Sequence, residues 1–133
     1  MLAHTADVAF RASAPDLAGV FEEAGRALAE IAADPSNEGT VVELAIELTG
    51  RDLPALAFAW LNELIGLADV RGPLVRADVT AVERSRTGGW RLCGRASFGG
   101  GARLRLDIKS ATYHGLVVER ANAGWRLTAY LDV

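Results

Sequence analysis

From Leu74 to Leu131 apolar side chains recur at every second position almost without interruption, the breaks falling at "SRTGG", "FGGGA" and "NAG". A period of two sends alternate residues to opposite sides of an extended chain. This half can therefore bury one face only by pairing strand against strand, with the glycine-rich breaks as turns. Strands are expected near 74–84, 90–98, 103–113, 115–121 and 125–132, the third and fourth being candidates for one bent element.

The first half adds helices. Val8, Phe10 and Ala12 alternate with Ala9 and Arg11 as a short strand, and "SAPDLAGVFEEAGRALAEIAA" then sets Leu17, Val20, Phe21, Ala24, Leu28 and Ile31 at helical spacing. Ser13 is the expected N-cap, with Asp16 three residues on and Pro15 in the first turn; "DPSNEG" ends the helix. Val42, Leu44, Ile46 and Leu48 alternate against Glu43 and Glu47 as a half-buried strand. Asp52 then caps a second helix, with Pro54 early and Leu53, Leu56, Trp60, Leu64 and Leu67 along one stripe, before "ADVRGP" breaks it. No repeat, low-complexity tract or linker divides the chain. Residues 1–133 are expected to form one α+β domain, a largely antiparallel mixed β-sheet with two amphipathic helices packed on one face.

Size and composition narrow the function classes. At 133 residues, half of them hydrophobic, a real core can form. No apolar run is expected to reach the roughly 20 residues that span a bilayer. The N-terminus has no basic, apolar leader, and the single Cys93 has no partner for an internal disulfide, which together point to the cytoplasm and no membrane. Net charge is −3, but it divides unevenly. Residues 1–69 hold 3 basic and 12 acidic side chains and residues 70–133 hold 11 and 5, which suits either opposed electrostatic faces or ordinary solvated surfaces. Overall acidity argues against autonomous nucleic-acid binding, which needs a dense cationic surface.

Strand parity gathers candidate residues. Leu104, Leu106 and Ile108 take one side of their segment and Arg103, Arg105, Asp107 and Lys109 the other, while Leu127, Ala129 and Leu131 oppose Arg126, Thr128, Tyr130 and Asp132. Asp7 has the polar parity of its own strand. If the first and last strands pair antiparallel, Asp7 meets Asp132 and the carboxyl terminus at Val133. Carboxylates so gathered need a compensating cation, and hard oxygen donors suit Ca²⁺ or Mg²⁺. The plain alternative is that Asp7 caps a strand entry and Asp132 is a solvated tail residue. Lys109 is the only lysine against 13 arginines, which hints at a role for a compact ammonium.

Other signals are weaker. His4 and His114, with Asp7, suggest zinc, but the short paired His or Cys spacing of zinc sites is missing; His4 fits better as an orienting hydrogen-bond partner and His114 as a strand-end residue. Gly99 to Gly101 precede a strand and lack the Lys and Ser or Thr of a phosphate loop, so they read as a turn. Cys93 lies mid-strand without a histidine signature for a nucleophile. In "AWLNELIG" Trp60, Leu61 and Leu64 are expected in the core, with Asn62 and Glu63 exposed and Glu63 available to a partner.

Taken in order, "HTADV", "FAWLNELIGL", "DIKSATYHGLVV" and the terminal "LTAYLDV" resemble the archease family over essentially the whole chain. The resemblance implies a small cytosolic α+β accessory protein that activates an RtcB-type tRNA-splicing RNA ligase, promoting its guanylylation and multiple turnover without itself being an enzyme. RNA is then met only through the ligase. It further implies a divalent-cation site, described for the family as calcium, on Asp7, Asp132 and Val133; Mg²⁺ and Mn²⁺ are the other candidate ions, and the functional lysine falls on Lys109. Archeases usually carry several residues before "HTADV" and a longer, more acidic segment before the lysine strand, where this chain has "FGGGARLR". Two rival readings stand beside this one. The first is a stand-alone metal-dependent hydrolase or small-ligand enzyme using His4, Asp7 and His114; the second is a chaperone-like module presenting the apolar faces of the helices.

Overall fold

The structure, a computed structural model, describes residues 7–34, 39–101 and 103–133, with the side chain of Asp7 outside that set. The chain order is β1 (Asp7–Ala14), α1 (Leu17–Ala32), β2 (Ala33–Asp34), β3 (Val41–Gly50), α2 (Leu53–Arg71), β4 (Leu74–Arg84), β5 (Trp90–Gly99), β6 (Arg103–Leu104), β7 (Ser110–Ala111), β8 (Val117–Ala121) and β9 (Gly124–Asp132). Every described strand pairing is antiparallel.

Helix α1 starts later than expected. Ser13 and Ala14 stay in β1, opposite Arg126 and Trp125, and Asp16 is the N-cap, its carboxylate accepting the Gly19 N–H at 2.7 Å. Pro15 explains the shift, because it drives the residue before it toward extended backbone and so keeps Ala14 in the strand. Asp52 caps α2 as expected, accepting from the Ala55 N–H at 2.8 Å, and Gly72 closes the helix at φ 109°, a conformation that suits a residue without Cβ.

The alternating half divides over separate sheets. One holds β3, β5 and β4 in that order; a second runs β1, β9, β7, with β8 also on β9; β2 and β6 form a two-stranded pair. The expected strand over 103–113 is thus broken. Its start pairs with β2, the N–H groups of Arg105 and Leu106 both donate to the Ala32 carbonyl, and the chain regains a ladder only at Lys109 on β9. Leu104, expected inward, is exposed because it sits on this crossing. Gly99 to Gly101 make the turn that precedes it, all at positive φ.

One core unites the sheets. Helix α1 packs on β4 of one sheet and β1 of the other, and α2 on β3, β5 and β7. Phe21, Leu56, Trp60, Leu61, Leu64, Leu92, Phe98, Leu127 and Leu131 are fully buried there. The Trp60 Nε1–H donates to the Phe21 carbonyl at 2.9 Å, tying the helices together, and Glu22 of α1 accepts the Val79 N–H of β4 at 2.8 Å. Contrary to the sequence expectation, α2, at 19 residues, is long and apolar enough by length and composition to cross a membrane. Five of its side chains instead lie within the common core.

Candidate functional site

The two ends of the chain meet because the core demands it. Strand β1 pairs with β9 over its whole length, with Phe10 opposite Ala129, Ala12 opposite Leu127 and Val8 opposite Leu131. A slip of one residue would turn the buried Leu127, Ala129 and Leu131 to the other face. The register that buries them sets Asp7 opposite Asp132. The pairing inferred from parity is therefore present in the backbone.

Asp132 lies between two neighbours. On its other side Ser110 is its register partner, and Lys109 also donates its main-chain N–H to the Asp132 carbonyl at 2.8 Å. Two consecutive residues thus meet Asp132, Ser110 within β7 and Lys109 from the irregular chain just before it. Lys109 is exposed, while Ala111, two residues on, is buried.

Helix α2 holds this segment from behind. The Asn62 side-chain oxygen accepts the Ala111 N–H at 2.9 Å, and its amide nitrogen donates to the Ala111 carbonyl at 3.1 Å and to the Phe58 carbonyl at 3.0 Å. One side chain satisfies both main-chain groups of Ala111, as a neighbouring strand would. Asn62, expected exposed, is half-buried; Glu63 is exposed as expected. Further along, Tyr113 meets Phe58 edge to face with ring centres 5.5 Å apart, and Arg51 donates to the Tyr113 hydroxyl at 3.4 Å. That hydrogen bond, with the nearby Asp52, holds the Arg51 guanidinium above its ordinary pKa.

The remaining candidates separate. His114 is exposed in the turn after β7, its carbonyl accepting from the Thr112 hydroxyl at 3.0 Å. His4 and the side chain of Asp7 lie outside the described residues. Among the described residues no three His, Cys, Asp or Glu side chains cluster for a metal. Of the residues expected to hold a cation, Asp132 and Val133 are half-buried at the end of β9. The Asp132 carbonyl, already accepting from Lys109, is committed to the sheet.

The whole chain, residues 1–133, matches the model of the Archease protein family (MTH1598/TM1083). The chain belongs to the archease family. It is 30% identical over 138 residues to the Pyrococcus furiosus protein archease, a match covering 98% of this chain and 94% of that one. Its fold resembles the solution structure of Methanobacterium thermoautotrophicum protein 1598 with a TM-score of 0.80 at 26% identity, covering 99% of this chain and 96% of the other. It also resembles the Thermotoga maritima crystal structure described as an archease, possible chaperone, with a TM-score of 0.60 at 22% identity, covering 100% and 95%. In this archease, segments carrying the family likeness converge: Asp7 on Asp132, Lys109 on Asp132, and Asn62 on Ala111.

Proposed function

We propose that this archease activates an RtcB-type RNA ligase, assisting guanylylation of the ligase without owning a nucleophile. The observation that carries the reading is the seating of Asp7 and of Lys109 on opposite sides of Asp132. In guanylylation a histidine nitrogen bonds to the α-phosphorus of GTP as the bond to pyrophosphate breaks. Such transfer depends on positioning and on neutralising the charge that gathers on the phosphate oxygens. An exposed ammonium at Lys109 is suited to a phosphate or to an acidic group of the ligase.

The carboxylates of Asp7 and Asp132, with the main-chain oxygen of Val133, would hold a divalent cation, calcium being the first candidate. When bound, the ion supplies positive charge where three oxygen donors would otherwise repel. Asp132 keeps its place through main-chain bonds of the sheet, which do not engage its carboxylate. Lys109 is held just before β7 by its main-chain bond to Asp132, close enough in the backbone for one docking surface to use both.

The test is a multiple-turnover assay with the cognate ligase, GTP and broken tRNA, run with and without chelator. Wild type should stimulate strongly, and Asp7→Ala, Asp132→Ala and Lys109→Ala should each lose most of that stimulation. Equal stimulation by all four proteins would reject the assignment.

A further inference from the structure

We propose that Asn62 is a positioning residue for Lys109, acting through the main chain of Ala111; the inference rests on the activating role proposed for Lys109. Strand β7 is only two residues long. One side of it is carried by β9, and its other side, which would be a free edge, is closed by the Asn62 side chain with a bond to each main-chain group of Ala111. A strand this short has too few ladder bonds to hold its entry by itself. Lys109 is the residue that leads into β7, tied to β9 by its main-chain N–H on Asp132 and exposed two residues before the buried Ala111, so whatever fixes Ala111 restrains where Lys109 leaves the sheet.

The chemistry needs an asparagine. The side chain must offer one acceptor and one donor at the same time, and its third bond, to the Phe58 carbonyl one turn earlier in α2, sets the amide's orientation. An aspartate would keep the acceptor and lose the donor. A serine is too short to reach both groups.

Two measurements on the full chain test this together. The first is amide hydrogen exchange by NMR: in Asn62→Ser the Ala111 N–H should exchange at least about tenfold faster, since its acceptor is gone, while the buried β9 amide of Leu127 keeps its protection. The second is a double-mutant cycle of ligase stimulation with Lys109→Ala. Asn62→Ser should lower stimulation several-fold when Lys109 is present and add no loss when it is absent. Asn62→Asp, which keeps the Ala111 N–H bond, should fall between.

Unchanged Ala111 protection in Asn62→Ser would overturn the inference, as would an equal loss of stimulation in the Lys109→Ala background. Full stimulation by Lys109→Ala with fast Ala111 exchange in Asn62→Ser would instead sink the reading of Lys109, and with it any purpose for the positioning.

Discussion

Lys109 reaches Asp132 through the backbone: its N–H donates to the Asp132 carbonyl at 2.8 Å. The relation between the sole lysine and the acidic residue of the last strand therefore does not depend on their charges. Replacing the exposed ammonium should leave the fold intact, with Lys109→Ala and Lys109→Arg within about 0.5 kcal/mol of wild type in urea unfolding. Ligase stimulation should separate them, Arg retaining part of it and Ala little.

Asp132→Asn keeps the side chain's shape and removes its charge. Isothermal titration with Ca²⁺ should show affinity weakened by about tenfold or more, equivalent to about 1.4 kcal/mol, because a hard cation loses an anionic donor. Unaltered affinity would move the ion elsewhere.

Trp60 is fully buried and donates to the Phe21 carbonyl. Trp60→Phe removes the indole's bond to that carbonyl and opens a void where the indole stood. A loss of roughly 2–4 kcal/mol is expected in the unfolding free energy, read by chemical denaturation.

Gly115 has φ +79°, and a Cβ there would lie 2.8 Å from the Tyr130 ring. Gly115→Ala therefore adds a left-handed penalty of about 1–2 kcal/mol to a steric one. The thermal midpoint should fall, and the shift of the Tyr130 ring protons should report the displacement.

The two residues competing to cap α1 can be told apart. Asp16→Ala should cost about 1 kcal/mol, since Gly19 loses its acceptor, whereas Ser13→Ala should change stability by a few tenths at most. The reverse order would restore the cap expected from the sequence.

That contrast shows where the sequence was readable. The alternation of Val8, Phe10 and Ala12 and of Leu127, Ala129 and Leu131 shows which side of each strand Asp7 and Asp132 take, but that the two strands pair, and in the register that sets Asp7 against Asp132, is read from the structure. The cap was misplaced because Ser13 and Asp16 are both good caps, and only the pairing of Ser13 with Arg126 decides between them. The break in the strand over 103–113 was hidden for a similar reason. Leu104, Leu106 and Ile108 alternate, but Leu104 joins β2 while Ala111, on the other parity, joins β9, and periodicity carries no record of which neighbour a strand chooses.

Asn62 was the least visible of all. Nothing in "WLNEL" distinguishes a solvated asparagine from one that closes the edge of a strand 49 residues away. A polar residue one position from two core residues on a helix is the only available signal, and it is a common one.

Because β9 runs between β1 and the short β7, the timing of synthesis shapes how this protein comes together. Val8 and Phe10 leave the ribosome long before β9, the strand that pairs with theirs. Until residues 124–132 are out of the tunnel, the opening segment has no mate and Lys109 has no carbonyl to rest on. The site we propose can therefore assemble only once β9 has been made.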